Sequence, residues 1–355
     1  MEKRYGQVDP EERWESWILT ILSKKIMTIR SKIDNTIHQK DSLTKYLKAF
    51  CKLRIDRSHG IAPHKPILLL SIIQAYQTKR ITGTKIYLTP ELVALFKANW
   101  NSLVQTNHDC RISYPFFYMK SESFWVLKPK AGFSNLNTMG SLVKSFANLN
   151  AAVEYAEIEK PLFELLNDAT SRKALLQVLL EEYFPNTRGY FSEQDPVSLF
   201  NDLEYSFLND SSEYYRERTK ELLTQKNDEE VFLLGSVFKR EIPKIYNDAC
   251  CISGLRVSSM HNISMIDACH IIPFSESYDD TVTNGIALCP NLHRAFDRGL
   301  LSITPDFRVR VSEGFVEEGK LTLKQFEGQR ISLPANKKYW PNRESLEWHG
   351  VNVFR

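Results

Sequence analysis

The chain has 355 residues, 43% of them hydrophobic and 25% charged, a composition ordinary for a globular protein and a length that one hydrophobic core seldom serves. The longest apolar runs, such as Ile67 to Ile73, fall far short of the roughly 20 residues that a membrane-spanning helix needs, and Met1 to Glu15 is charged without an apolar core. No membrane span or signal peptide is expected, and a cytoplasmic location is. The net charge of +3 hides an uneven distribution: residues 41–130 carry 14 Lys and Arg against 5 Asp and Glu, whereas residues 131–240 carry 11 against 18. A stretch at +9 is what a surface that tracks phosphates requires; a solvated basic face is the plainer alternative.

In chain order, Asp9-Pro10-Glu11-Glu12 is a helix start, with Asp9 as cap and Pro10 at the first helical position. Trp14, Trp17, Ile18, Ile21, Leu22, Ile29, Ile33 and Ile37 then recur at three- and four-residue spacing, which predicts one amphipathic helix over residues 1–40. Its apolar stripe needs a partner, either the rest of the chain or a second copy in a homodimer. Residues 41–185 are mostly helical in pattern, over Ser42 to Arg54, Lys65 to Thr78, Pro90 to Val104, Ser141 to Glu154 and Ser171 to Phe184. Ile86-Tyr87-Leu88 and Phe124-Trp125-Val126-Leu127 are β-branched and aromatic enough to be short strands. Residues 186–240 are acidic and punctuated by breakers, the pattern of an interdomain connection with short helices. Residues 241–315 form a second domain and residues 316–355 an extension. The fold class expected is α+β. The six cysteines contain no C-x-x-C pair and are read as free thiols.

In the basic segment, Arg57-Ser58-His59-Gly60-Ile61-Ala62-Pro63-His64-Lys65-Pro66 places cations and imidazoles immediately before a buried-type helix, where backbone N–H groups also converge. Arg111 and then Tyr114-Pro115-Phe116-Phe117-Tyr118 follow. This pattern is similar to the sulfur-binding domain of McrA-like type IV restriction enzymes, which recognises phosphorothioate DNA and precedes a C-terminal nuclease domain. The resemblance covers residues 41–185. It implies that Arg57, His64 and Lys65 contact the DNA backbone, with Arg111 nearby, and that Tyr114 and Pro115 line an apolar sulfur pocket. The family often has Arg at the position of Lys65 and a small residue at that of Tyr118, whose ring could fill the pocket. For Phe116, Phe117, Phe124 and Trp125, ordinary core packing is the preferred reading.

Further on, Asp267-Ala268-Cys269-His270-Ile271-Ile272-Pro273, then Asn284-Gly285, then His293-Arg294-Ala295-Phe296-Asp297-Arg298-Gly299 read as strand, loop and helix. Pro273 ends the strand, Asp279-Asp280 and Asn284-Gly285 serve the loop, Pro290 opens the helix and Gly299 closes it. His293 and Asp297, four apart, share a helix face, and Leu292 and Phe296 share its neighbour. Leu300 to Ile303 and Phe307 to Val311 make a hairpin that sets Arg308 and Arg310 on one face, open to DNA or to solvent.

These residues resemble the HNH endonuclease family over about 60 positions. The resemblance implies a ββα-metal fold cutting DNA by metal-assisted hydrolysis, with His270 as general base, Asn284 orienting loop and base, and His293 a metal ligand. Asp267 and Asp297 compete to be a further ligand. A near-neutral imidazole suits deprotonation of water, and a divalent cation, Mg²⁺ or Mn²⁺, suits the developing phosphorane charge. Many members place Asp just before the base; here stands Cys269, a soft donor expected to serve packing only. Gly254 occupies the place of a zinc-stapling Cys, so no structural zinc is expected, the rival being a cluster of Cys251, Cys269, Cys289 and His293. Together the domains imply an endonuclease of restriction or antiviral-defence type acting on double-stranded DNA, modified (phosphorothioate among the candidates) or plain. A degenerate HNH core in a DNA-binding scaffold is the alternative of another class.

Overall fold

The computed structural model describes residues 39–57, 60–133, 145–192, 197–225, 227–257, 264–319 and 322–355. The predicted N-terminal helix and the dimer contact assigned to it lie outside these residues, positions 39 and 40 excepted, as do Ser58, His59 and the start of the helix predicted from Ser141. The architecture is α+β, with long helices and short antiparallel strands.

The N-terminal part is built around one helix buried on nearly every side. Helix α1 (39–51) is followed by α2 (His64–Gln77), in which every residue from Lys65 to Tyr76 is buried. Such all-round burial explains the unbroken run Ile67-Leu68-Leu69-Leu70, since a helix with no solvent face shows no amphipathic period. Helix α3 (Pro90–Leu103) packs along it; Thr89 caps α3 by accepting from the Leu92 N–H at 3.2 Å, and Pro90 takes the first position. The short helix α4 (Ser113–Tyr118) also rests on α2.

Three strands, β1 (Lys85–Ile86), β2 (Trp125–Pro129) and β3 (Val153–Ile158), pair antiparallel in the order β1-β3-β2. The helix predicted from Ser141 to Glu154 is thus observed as a shorter helix, α5 (Phe146–Ala152), that runs directly into the central strand. Val153, Ala156 and Ile158 are buried, and pairing on both edges outweighs the weak local preference of the segment. Next come α6 (Lys160–Asn167) and α7 (Ala169–Tyr183). They are separated at Asp168, whose carboxylate accepts from the Ser171 N–H at 2.8 Å and so starts α7.

The acidic stretch holds three helices, α8 (Val197–Asn209), α9 (Ser212–Thr224) and α10 (Asp228–Ile245). Helix α10 touches both halves of the molecule. On one side it meets α3 and α5, with Phe232 against Phe146 at a ring separation of 4.9 Å; on the other it lies on the ribbon of β4 (Asp267–His270) and β5 (Gly285–Leu288). That approach accounts for Gly285. Its φ is an ordinary −121°, but a Cβ there would stand 2.4 Å from Ile242 Cδ1, so a glycine is required by the helix above it rather than by a turn.

Behind β4 the chain forms the short α11 (Phe274–Ser277), and after β5 comes α12 (Pro290–Asp297). The strands β6 (Leu301–Ile303) and β7 (Val309–Val311) make the expected hairpin, although Phe307 sits in the turn at φ 67° rather than in the strand. The final helix, α13 (Arg343–Asn352), packs on β6. Gly299 ends α12 at φ +69°, and a Cβ there would lie 2.0 Å from the Val353 carbonyl, so the C-terminal residues close over the end of that helix.

Candidate active site and nucleic-acid interface

The ribbon β4-β5 is covered on both faces. Paired residues of antiparallel strands point the same way, and His270 pairs with Gly285 whereas Cys269 pairs with Ile286 and Asp267 with Leu288. His270 therefore faces α10, and Asp267 and Cys269 face α12.

On the α10 face, the His270 ring stacks on Phe238 with centroids 3.9 Å apart and planes 2° from parallel. Its Nε2 lies 2.6 Å from Oδ1 of the buried Asp280. With Nε2–H donating to that carboxylate, Nδ1 carries the lone pair that can accept a proton. The ring is held in plane by Phe238 and in rotation by Asp280. A cleft of about 670 Å³ opens beside it, lined by His270, Asp280 and Phe274 together with Ser236, Lys239 and Arg240 of α10.

Asn284 is buried and every polar atom of its amide is used. Oδ1 accepts from the Ile272 N–H, and Nδ2 donates to the Ile272 and Asp279 carbonyls, all at 2.9 Å. The Asn284 carbonyl accepts from the Ile271 N–H at 2.8 Å. These bonds clamp the chain just after His270 to the chain just before Asp280. The hydrogen bonds of Asn284 go to the two segments that hold the His270 ring and tie them together.

On the α12 face, His293 Nδ1 lies 3.3 Å from Asp267 Oδ2, and its Nε2 lies 3.5 Å from Asp297 Oδ2. Cys269, fully buried, points its Sγ at Asp297 Oδ1 from 3.9 Å. Among the described residues, Cys269, His293 and Asp297 form a group whose donor atoms all lie within 4.8 Å of one another. Cys269, expected to be packing alone, thus faces the group, while Asp267 stands behind His293 on its other ring nitrogen. A carboxylate there fixes the imidazole's tautomer and leaves Nε2 for a cation. Burial, with Asp297 next in effect, pushes the Cys269 thiol well above its usual range.

Two contributors were missed in the sequence. Asp280 was read as loop chemistry, although an Asp-Asp pair ten residues after a histidine was the available signal. Phe238 had none, because only the packing of α10 brings it to the ribbon.

In the N-terminal part, a cavity of about 960 Å³ gathers His64, Lys65, Tyr114 and Pro115, joined by Arg54, Ile55 and Tyr118. Tyr118 lines this space with its side chain partly open to solvent. Lys65 is nearly buried, with Nζ 2.6 Å from Glu122 Oε1 and 2.7 Å from Ser121 Oγ. Its charge is matched inside the protein, and burial, outweighing Glu122, lowers the ammonium's pKa. His64 Nε2 donates to the Asp109 carbonyl at 2.9 Å, and its ring lies 4.8 Å from that of Trp100; burial lowers its pKa as well. Arg111 reaches Asp109 at 3.7 Å and sits 5.7 Å over the Tyr114 ring, bracing one wall. Arg57 is exposed on the loop before α2. Phe116, Phe117, Phe124 and Trp125 are core residues, as expected. Arg308 and Arg310 lie far along the chain on the β6-β7 hairpin. The first is engaged by Asp306 at 3.2 Å and the Gly328 carbonyl at 2.8 Å; the second lies over the Phe354 ring at 4.6 Å.

Residues 250–304 match the HNH endonuclease family. This segment carries the match to an HNH endonuclease domain. It holds the ribbon, α12, His270, Asn284 and the Cys269-His293-Asp297 group. No curated protein matches the chain significantly. Among solved structures, similarity is found to a modification-dependent TagI restriction endonuclease, at 20% identity, covering 33% of this chain and 38% of that one, with a TM-score of 0.25. A second is the sulfur-binding domain of SprMcrA complexed with phosphorothioated DNA, at 19% identity, covering 46% of this chain and 94% of that one, with a TM-score of 0.34. The chain thus spans well under half the length of the first, and at these values neither likeness bears on what this chain binds. Among the described residues, no helix is long and apolar enough to cross a membrane.

Proposed function

We propose that this chain is a DNA endonuclease of restriction or defence type, in which the HNH domain hydrolyses phosphodiester bonds and the N-terminal cavity selects the DNA. The observation that carries the reading is the pairing of an oriented imidazole with a cation-binding group on consecutive residues of one strand. His270 Nδ1 takes the proton of the attacking water, and the Asp280 carboxylate stabilises the imidazolium that results. Asn284 keeps the two segments bearing these side chains in register. Cys269 and His270 adjoin in β4, so the α12 group and the base flank one edge of the ribbon, where a phosphate can be held by one and attacked beside the other.

A divalent cation fits the imidazole of His293 and the carboxylate of Asp297, and when bound it supplies positive charge to the phosphate and the leaving oxygen. Of the ions expected from the sequence, Mg²⁺ or Mn²⁺, the carboxylate suits both; the Cys269 thiol suits Mg²⁺ poorly. Replacing His270 with Ala is expected to cut metal-dependent nicking of plasmid DNA by a factor on the order of 10² to 10⁴. Equal nicking by both proteins, or by neither across a panel of divalent metals, overturns the enzymatic reading in favour of a DNA-binding scaffold.

Within this reading, the N-terminal cavity takes a duplex modified on its backbone, with phosphorothioate the first candidate. Sulfur is less well hydrated than oxygen, and a space walled by Tyr114, Pro115, Tyr118 and Ile55 beside the Arg54 guanidinium offers it an apolar contact next to a cation. Binding of phosphorothioate and plain duplexes of one sequence, compared at fixed salt, tests this. Equal affinity removes the sulfur assignment, and methylated or glucosylated duplexes then identify the modification read, if any.

A further inference from the structure

The donor chemistry of the α12 face points to a thiophilic transition ion of the Zn²⁺ or Co²⁺ class, and we infer that Cys269 is its third protein ligand beside His293 and Asp297. The inference rests on the HNH assignment for the site and deepens it by naming the ion. Three observations support it.

The first is spacing. Tetrahedral bonds of zinc length place sulfur, nitrogen and oxygen donors about 3.3 to 3.6 Å apart, whereas the octahedral shell of Mg²⁺ places neighbouring oxygens about 2.9 Å apart. Here Nε2 of His293 is 3.5 Å from one Asp297 oxygen and Sγ of Cys269 is 3.9 Å from the other, and one donor atom from each of the three residues lies within 4.8 Å of the other two. Both spacings to Asp297 exceed the octahedral value and lie closer to the wider one.

The second is softness. A sulfur donor among imidazole and carboxylate selects against Mg²⁺, which binds oxygen and gives up its water shell reluctantly. Cys269 is fully buried at the base of the group while Asp297 is exposed at its rim. An ion seated there has protein on the sulfur side and solvent on the other. Three protein ligands with the fourth position open is the arrangement of catalytic rather than structural zinc.

The third is support from behind. Asp267 occupies the second ring nitrogen of His293 at 3.3 Å, as the outer partner of a ligating histidine does. It is therefore a positioning residue rather than a ligand. On binding, the Cys269 proton passes to solvent as the sulfur–metal bond forms.

The test uses the full chain stripped of metal by a chelator and then titrated with Co²⁺. The wild type is expected to develop a thiolate-to-cobalt charge-transfer band in the near ultraviolet and intense tetrahedral visible bands. Cys269→Ser loses the charge-transfer band and weakens Zn²⁺ binding, measured by competition calorimetry, by roughly 10- to 100-fold; Cys289→Ser, which removes the thiol at the start of α12, keeps both. A measurement on the wild type alone guards against a serine variant that fails to fold: Zn²⁺ is expected to displace a proton from Cys269 on binding, read in calorimetry as a binding enthalpy that varies with the buffer's ionisation enthalpy, and Mg²⁺ is not. Weak octahedral Co²⁺ spectra without charge transfer, or Zn²⁺ binding with no proton release, overturn the inference. Failure here is distinguishable from failure of the nuclease reading. DNA cleavage with Mg²⁺ and no thiolate band sinks the ion and spares the nuclease, whereas a thiolate band without cleavage in any metal does the reverse.

Discussion

The two regions singled out for their polar residues use them in opposite ways. In the N-terminal cavity the polar groups nearest the helix start are consumed internally: Lys65 is bonded to Glu122 and Ser121, and His64 to the Asp109 carbonyl. In the HNH domain Asp280 occupies one nitrogen of His270 and leaves the other spare, while Asp267 holds one nitrogen of His293 and the other faces Asp297 at 3.5 Å across the candidate cation site. The difference separates residues that build a site from residues that act in it. A buried cation with a matched carboxylate shapes a wall, while an imidazole anchored through a single nitrogen is oriented and still reactive.

The largest effect expected from breaking this contrast lies at the dyad. Asp280→Asn keeps the shape and removes the charge behind the imidazole, so kcat for plasmid nicking is expected to fall by a factor on the order of 10² to 10³ with little change in the KM for DNA. A rise in KM alone would show that Asp280 serves binding instead. Next comes Lys65→Met, which leaves the Glu122 charge buried alone and is expected to cost about 3 to 5 kcal/mol in urea unfolding of the full chain. The double change with Glu122→Leu should recover most of that loss. A stable Lys65→Met protein that has lost DNA binding would instead return Lys65 to the role of phosphate contact.

A buried base and a buried acid oppose each other in the pH dependence of stability. His349 is stacked on Phe296 at 3.6 Å, with Nδ1 2.9 Å from Ser302 Oγ, and burial holds its pKa down to about 4. Between pH 4 and the ordinary histidine value of about 6.5 the unfolded chain binds a proton that the folded chain does not, so this contribution is complete above that range and is lost as pH falls, by about 3 kcal/mol in all. Glu229 of α10 caps α4, with Oε1 2.9 Å from the Ile112 nitrogen, and burial lifts its pKa to about 7. Here the folded chain holds the extra proton, and stability falls as pH rises from about 4.5 to 7, again by about 3 kcal/mol. Thermal unfolding should therefore show Glu229→Gln gaining on the wild type from pH 5 to pH 8. His349→Gln should close its deficit from pH 7 to pH 4. Parallel curves for either variant would contradict the corresponding assignment.

The smallest effects concern the outer cations. Arg54→Ala and Arg57→Ala are each expected to lower the slope of log affinity against log salt by about 0.9 and to weaken DNA binding several-fold. Arg308→Ala and Arg310→Ala should change the slope less, because Arg308 is already engaged by Asp306 and the Gly328 carbonyl and Arg310 lies over the Phe354 ring. The reverse order would place the DNA on the HNH hairpin rather than at the cavity.

Much of the HNH domain was legible in the residues themselves. Strand, loop and helix follow from Pro273, Pro290 and Gly299, whose backbone limits act locally, and the four-residue spacing of His293 and Asp297 puts them on one face whatever surrounds them. The same local logic places α2 and α3. Side-chain partners were not legible, because they depend on elements distant in the chain. Lys65 meets Glu122 only when the turn between α4 and β2 lies beside the start of α2, and Phe238 meets His270 only when α10 lies on the ribbon. Gly285 looked like a turn residue because only the crossing of α10 makes it a contact residue. The helix expected through Glu154 became strand β3 because hydrogen bonds from two neighbours outweigh a propensity worth only tenths of a kcal/mol per residue. By itself, then, the sequence determined which residues could do chemistry and on which local element each sits. The tertiary structure decided which ring nitrogen is left free, that Cys269 joins His293 and Asp297, and that Lys65 is spent on Glu122, since burial and long-range packing set the partners that local spacing cannot specify.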